Sequence, residues 1–374
     1  MTLKVAVVGC GKIADGHVEE IQKLGDAARV VAVVDRELLM AEQLASRYGL
    51  PGFYDDLDRM LAIERPDVVH ITTPPQSHLA IGVRALDAGA HVYVEKPLTL
   101  CYADSRALVL HALGAGKKLT IGYSYYFDPP LAELRELFAR GEIGEPVLAE
   151  SFLGYGVAGP FGKALLGDAN HWVHGLPGKL FHNNLDHLLY KLPELLPDDR
   201  PDGEVFADPI GDVRISAQGF VRRTARFGDV RDAMMDELRV TLTGSRSSAF
   251  VWFSSHVKPI VHTTRVYGTR SSALVNHTAR TITLESQSAL PSALGRLAPA
   301  FDQGLQHLRQ GGVNAMRFAH NDFHFFTGMN RLFSAFYDSI ERDGPPPIPY
   351  RHLLRIAGWM DEIWRQVPQT EVAR

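Results

Sequence analysis

The first place in this 374-residue chain where residue types and spacing promise chemistry is a short glycine turn. Gly9-Cys10-Gly11-Lys12-Ile13-Ala14 is a G-x-G-x-x-A run that follows the β-branched stretch Leu3–Val8 and precedes a helical pattern. Gly9 permits the tight turn, Gly11 lets the backbone approach a pyrophosphate, and Ala14 allows close helix–strand packing. The helix start at Lys12 and Ile13 offers free N–H groups and a favourable dipole to phosphates. Asp35 ends the next predicted strand, about 20 residues on, where a carboxylate accepts ribose hydroxyls. The pattern predicts a dinucleotide site. The charge of Asp35 repels a 2′-phosphate and favours NAD, whereas neighbouring Arg36 attracts that phosphate and leaves NADP open.

Such a turn works only at the end of a parallel strand, and the surrounding sequence supplies the elements. Strands are predicted at Leu3–Val8, Val30–Val34, Val68–Thr72, His91–Val94 and Leu119–Tyr123. Helices are predicted between them at Ile13–Leu24, Glu37–Tyr48, Ser77–Ala88 and Tyr102–Ala115. Apolar strands alternating with helices give an α/β Rossmann arrangement, a doubly wound parallel sheet. After Pro129-Pro130 the pattern changes. A helix at Leu131–Arg140 precedes consecutive strands at Val147–Phe152, Val213–Phe220, Glu237–Thr243, Ala249–Ser254, Thr263–Tyr267, Ala273–Asn276 and Thr281–Leu284. Helical patterns return at Ala298–Gln310, Phe318–Arg342 and His352–Gln366, the first two separated by Gly311-Gly312. The second half therefore reads as α+β with a mainly antiparallel open sheet. The expected division is a dinucleotide-binding domain over 1–124 and a substrate-binding and oligomerisation domain over 125–374.

Thr72-Thr-Pro74-Pro-Gln-Ser-His78 follows one strand and Glu95-Lys96-Pro97 the next, within Ala88-Gly-Ala-His-Val-Tyr-Val-Glu-Lys-Pro97. With the glycine turn and Gly141–Glu145, these segments resemble the glucose–fructose oxidoreductase/inositol dehydrogenase (Gfo/Idh/MocA) family over residues 1–150, and more loosely beyond. The resemblance implies that Thr73, Pro74, His78 and Glu95 line the cofactor site and that Lys96 lies in the active site. Physically, an ammonium at the carboxyl end of a parallel strand is placed to polarise or protonate an oxygen beside a nicotinamide ring. Glu95 would orient it.

Members of that family often carry an Asp and a His four residues apart on a helix after a glycine-rich stretch. The matching segment is Leu176-Pro-Gly178-Lys-Leu-Phe-His182-Asn-Asn-Leu-Asp186-His187, with His182 at the usual Asp position and Asp186 at the usual His position. The pair stands reversed. At i, i+4 the two share a helical face, where a carboxylate raises the proton affinity of imidazole and fixes its tautomer. His187 replaces Asp186 if the register slips by one. Ser124 and Tyr126 stand where the family often shows N-x-R, so a substrate anchored there by carboxylate or phosphate is disfavoured. Tyr123, Tyr126 and Trp172 offer sugar rings a stacking surface and hydroxyl partners. His320 and His324, also four apart, could chelate a metal on one helix face, but no third ligand accompanies them, and no metal is expected.

Charge arithmetic narrows the class. Lys plus Arg number 39 and Asp plus Glu 43, for a net charge of −4, with 45% hydrophobic residues. That balance excludes a disordered or fibrous chain and provides no basic surface for nucleic acid. No apolar run reaches a membrane span, and two cysteines suit a reducing compartment, so a cytoplasmic protein is expected. The leading expectation is an NAD(P)-dependent dehydrogenase acting on CH–OH of a sugar, cyclic polyol or sugar derivative. The alternatives are a lyase or glycoside hydrolase with transient redox, and a non-catalytic sensing regulator. A homodimer or homotetramer is expected, because an open sheet with one uncovered face needs a partner.

Overall fold

The computed structural model describes residues 2–156, 167–168, 170–221, 235–288 and 290–367. The chain divides into two compact units. The first comprises 1–124, 202–209 and 328–358; the second comprises 125–201, 210–327 and 359–374. Sequence reading drew one cut at 124, whereas 202–209 and 328–358 return to the first unit.

In the first unit β1 (Leu3–Val8), β2 (Ala28–Val34), β3 (Gly52–Tyr54), β4 (Val68–Ile71), β5 (His91–Val94) and β6 (Leu119–Ile121) form one sheet in the order β3-β2-β1-β4-β5-β6. Every pairing is parallel. Val5, Val7, Val33, Val69 and Val92 are fully enclosed, as strands covered on both faces must be. Each such side chain contributes about 1.5–3 kcal/mol of burial. Helices α1 (Lys12–Gln22), α2 (Leu38–Tyr48), α3 (Leu57–Glu64), α4 (His78–Asp87) and α5 (Tyr102–Gly114) connect the strands. The sequence reading lacked β3 and α3. A three-residue strand is too short for any periodicity, although Asp56 caps α3 by accepting from Arg59 N at 2.7 Å.

The second unit opens with α6 (Pro129–Ala139), and its sheet contains β7 (Pro146–Gly154), β8 (Arg214–Phe220), β9 (Glu237–Thr243), β10 (Ser248–Ser254), β11 (His262–Gly268), β12 (Ser271–Asn276) and β13 (Thr281–Ser286). The order is β13-β12-β11-β7-β10-β9-β8. All neighbours are antiparallel except β7 and β10. Alternation puts Leu238, Val240, Ala249, Val251 and Phe253 inward. Phe181 of α7 (Lys179–Leu189) covers Phe253, with ring centroids 4.2 Å apart. Phe250 and Trp252, at alternate positions of β10, stay 47% and 46% exposed.

Three helices follow the one-turn α8 (Asp202–Val205) and the sheet: α9 (Ser292–Ala319), α10 (Thr327–Glu341) and α11 (Tyr350–Gln366). Gly311-Gly312 does not interrupt α9. The break comes at Asn321, whose positive φ of 57° ends the helix. His320 and His324 therefore flank an interhelical turn instead of sharing a helix face. Among the described residues no helix is long and apolar enough to cross a membrane.

Candidate active site

Four strands of the first unit end level. Val8, Ile71, Val94 and Ile121 pair in register, so the segments that follow them leave the sheet side by side at its carboxyl edge. Those segments are the glycine turn, Thr72-Thr73, Glu95-Lys96 and Gly122-Tyr123. Ligands of open α/β sheets bind at that edge.

Gly9 adopts φ 102°, and its N–H donates to Val34 O at 2.7 Å. A Cβ at Gly9 would lie 2.7–2.9 Å from Thr73 and the Thr72 backbone, so the turn closes only around glycine. Thr72 Oγ1 donates to Gly9 O at 2.6 Å and ties the turn to β4. Gly11 differs: it is the N-cap of α1, with exposed backbone and nothing within 4 Å of a built Cβ. Lys12 is exposed at the first position of α1, and Ile13 is half-buried beside it. Asp35 Oδ2 accepts from Cys10 N at 2.8 Å, and its Oδ1 accepts from Glu37 N at 3.0 Å. The carboxylate is thereby fixed against the turn, while Arg36 is exposed. Burial first, then the charges of Asp35 and Asp15, push the Cys10 thiol up to about 12. Open space over Gly11 together with an anchored acid at the end of β2 fits a dinucleotide.

Thr73 Oγ1 accepts from Ser77 Oγ at 2.7 Å, and Pro74 starts the following turn. His78 is fully buried at the head of α4. Its Nε2 lies 2.8 Å from Thr73 O, and its Nδ1 lies 3.0 and 3.1 Å from Pro97 O and Leu98 O. One imidazole thus clamps the loops after β4 and β5, and burial pushes its pKa below the usual value. Its place is structural support behind the cofactor loops. Glu95 Oε1 lies 3.0 Å from His17 Nε2, and Oε2 accepts from Lys96 N at 3.3 Å. Burial works to raise the Glu95 pKa, but the hydrogen bond to His17 and the charge of Lys96 outweigh it and hold the group below the ordinary carboxylate range. Lys96 is half-buried.

In the second unit, His182 and Asp186 are both 1% exposed on α7. The indole of Trp364 stacks on His182, centroids 5.6 Å apart and planes 22° from parallel. Gly178 makes room for it, since a Cβ there would fall 2.2–2.5 Å from that indole. His187 is half-buried and meets the Tyr125 ring edge-on at 5.3 Å. Trp172 stacks with His171 on the preceding turn. Tyr126 donates its hydroxyl to Glu194, and the Arg135 guanidinium lies 3.6 Å from its ring centroid. Its hydroxyl and one ring face are therefore engaged within the unit instead of being presented to a sugar. Tyr123, in the first unit, is 2% exposed.

Sequence reasoning missed His17, Gly122 and Trp364. A Cβ at Gly122 would lie 2.8–3.1 Å from the Glu95 carboxylate, so this glycine leaves the space Glu95 occupies. The signal for His17 was a histidine at helical spacing with Ala14 and Ile21 on the buried face of α1. Nothing local pointed to Trp364.

Residues 3–123 match the oxidoreductase family with an NAD-binding Rossmann fold. The matching model is that of the Gfo/Idh/MocA family. Curated relatives are similar over stretches of comparable length. The chain is 34% identical over 143 residues to the D-glucoside 3-dehydrogenase of Escherichia coli strain K12, covering 38% of this chain and 41% of that protein. It is 30% identical over 150 residues to the scyllo-inositol 2-dehydrogenase (NAD(+)) of Bacillus subtilis strain 168, covering 40% and 44%. The aligned part thus spans less than half the length of these relatives. Over nearly the whole chain the fold is similar to that of the WlbA dehydrogenase from Bordetella pertussis, crystallised with NADH and UDP-GlcNAcA. There the TM-score is 0.74 at 18% identity, covering 98% of this chain and 95% of that one.

Proposed function

We propose that this chain is an NAD-dependent dehydrogenase that moves a hydride between nicotinamide and a hydroxyl-bearing carbon of a sugar, cyclic polyol or sugar derivative. The observation that carries this reading is the level carboxyl edge of the first sheet. The glycine turn leaves β1 and Lys96 leaves β5, two strands away, about 10 Å at the usual strand spacing. The glucoside and inositol dehydrogenases similar to the first domain favour a polyhydroxylated substrate.

Bound NAD supplies the hydride acceptor; the chain supplies orientation and proton handling. Gly9, Gly11 and the N–H groups of Lys12 and Ile13 hold the pyrophosphate, and Asp35 takes the ribose hydroxyls, with Arg36 leaving room for NADP. Lys96 stabilises negative charge on the reacting oxygen and holds its proton. His182 acts as general base for the hydroxyl, with Asp186 setting its tautomer, and Tyr123, Trp172 and His187 meet the substrate. The exposed Phe250 and Trp252, and the α9 stripe of Leu294, Leu297, Phe301, Leu305 and Leu308 at 55–76% exposure, support a second copy of the chain as partner. A cytoplasmic setting accords with Cys10 and Cys101 forming no disulfide with each other.

A panel of sugars and polyols followed at the nicotinamide absorbance, with NAD and NADP in parallel, tests the proposal. Lys96→Ala should cut turnover on any active substrate by orders of magnitude and leave NAD affinity within about threefold. Turnover unaffected by that change, or no turnover on the panel despite NAD binding, overturns it.

A further inference from the structure

Behind Glu95 the first unit encloses three side chains that the mechanism above does not use. His17, fully buried on α1, places Nε2 3.0 Å from Glu95 Oε1 and Nδ1 2.9 Å from His70 Nδ1. His70 is fully buried in β4 and places Nε2 2.9 Å from the Tyr337 hydroxyl on α10. Tyr93 stacks on the His70 ring at 4.6 Å and 10°, and Phe333 packs edge-on against it at 4.7 Å, so packing fixes the ring plane.

Proton counting then gives the file a direction. A neutral imidazole has one N–H and one lone pair, and an ionised carboxylate only accepts. His17 therefore donates from Nε2 to Glu95 and accepts at Nδ1. His70 donates from Nδ1 to His17 and accepts at Nε2 from the Tyr337 hydroxyl. Each ring nitrogen is used once, with both rings neutral. Reversing the file, by protonating Glu95 or by charging His17, adds a proton to a buried aromatic enclosure. Burial holds the His70 pKa well below its usual value. Tyr337 is 2% exposed, so the file ends inside the protein and cannot pass protons to solvent. The Glu95 side chain, at 13%, is its open end.

We propose that Tyr337, His70 and His17 are positioning residues: a one-way hydrogen-bond relay, closed at its inner end, that fixes Glu95 as a carboxylate and through it keeps the Lys96 ammonium charged and oriented. The proposal rests on the assignment of Lys96 to proton handling, but it is read without substrate. The charged and titratable groups facing Glu95 are His17 from α1, Lys96 on the same loop, Tyr93 from β5 and His78 from α4. Removing the His17 donor takes away the strongest interaction that opposes burial, so the Glu95 pKa rises and its support of the ammonium weakens.

Two measurements on the full chain test this. Long-range proton–nitrogen correlation spectra of histidine-labelled protein, with His17→Gln and His70→Asn to assign signals, should show His17 as the Nε2–H form and His70 as the less common Nδ1–H form from pH 6 to 8. Tyr337→Phe removes the donor to His70 Nε2 but leaves its Nδ1–H bonded to His17, so the Nδ1–H form should persist while the Nε2 nitrogen resonance shifts. Competitive acetylation of amines with acetic anhydride, resolved by peptide mass spectrometry, should show Lys96 titrating about one unit lower in His17→Leu, about tenfold more free amine at a given pH below its midpoint. His17→Gln, whose amide N–H reaches the Nε2 position, should restore the original titration. An Nε2–H tautomer at His70 in the unaltered chain, or an unchanged Lys96 titration in His17→Leu, refutes the relay. If His17→Leu does not fold, the His70 tautomer in the unaltered chain and the His70 Nε2 shift in Tyr337→Phe decide the matter. Undiminished turnover in Lys96→Ala would instead remove the catalytic assignment and leave both readouts standing.

Discussion

Gly9→Ala and Gly11→Ala differ by one methyl at two positions of one turn, yet the structure assigns them opposite consequences. At Gly9 the added carbon meets Thr73 Cγ2 at 2.7 Å, Thr73 N at 2.8 Å and Thr72 C at 2.9 Å, on a backbone at φ 102°. Two of those atoms are backbone of the β4 loop and cannot rotate away. The positive φ costs about 1–2 kcal/mol and the overlap about 1–3 kcal/mol. A total near 3 kcal/mol lowers the melting temperature by about 6–12 °C. At Gly11 the carbon meets nothing within 4 Å, and φ −75°, ψ −174° suits alanine. The fold then loses only the helix-cap preference of glycine over alanine, about 0.5–1 kcal/mol. The methyl does stand over the backbone that a pyrophosphate must approach, so NAD affinity should fall at least tenfold, or about 1.4 kcal/mol. Thermal unfolding without cofactor, together with calorimetric titration of NAD, separates the two effects. A Gly9→Ala protein as stable as the parent, or a Gly11→Ala protein that binds NAD unchanged, would refute the reasoning.

Three further outcomes are expected. Asp35→Ser removes the acceptor of Cys10 N and the charge that repels a 2′-phosphate, so the ratio of NAD to NADP affinity should fall at least tenfold by titration with each dinucleotide. Gly178→Ala drives a methyl into the Trp364 indole, so near-ultraviolet circular dichroism should change and stability drop by about 1–3 kcal/mol, with the His182 face disturbed. His91 carries the acid sensitivity that is simplest to isolate. Burial, then Lys117 and Lys118, push its pKa down to about 4, while its Nδ1 accepts from Lys118 N at 2.9 Å. The unfolded chain binds that proton near pH 6.5 and the native chain only near 4, so this contribution is present above pH 6.5 and is lost as pH falls towards 4. His91→Asn keeps an acceptor and removes the titration. Its unfolding between pH 4.5 and 6 should take up close to one proton fewer, and an unchanged slope of stability against pH would count against the assignment.

Sequence reading recovered three strands residue for residue, Leu3–Val8, His91–Val94 and Glu237–Thr243. Their signal is local, and so is that of the glycine turn and Asp35. Gly311-Gly312 misled for the complementary reason. Glycine in a helix costs about 1 kcal/mol, and α9, with Gln306 bonded to Leu284 in β13 on both its amide groups, absorbs that cost. Contacts of long separation left no trace. His17 and Glu95 lie 78 residues apart, and His70 and Tyr337 lie 267 apart. Besides His17 on α1, the cue was a histidine inside Val68–Ile71, a strand enclosed along its whole length, where an imidazole must find partners on both nitrogens.

The interleaving of the first unit has its own physical cause. β6 is the last strand of the sheet, so one side of its backbone faces no further strand. An edge of that kind invites pairing with other chains unless something covers it. Tyr350 accepts from Leu119 N at 2.9 Å, and Asp343 takes the Lys118 ammonium at 2.7 Å, both from the 328–358 stretch. On the 202–209 stretch, Phe206 O accepts from Tyr102 at 2.5 Å and from Arg106 at 2.6 Å on α5. A stretch that returns from more than 200 residues away also brings Tyr337 to His70. Covering the edge of the sheet and closing the histidine file are therefore done by one segment, and a cut at residue 124 would forfeit both.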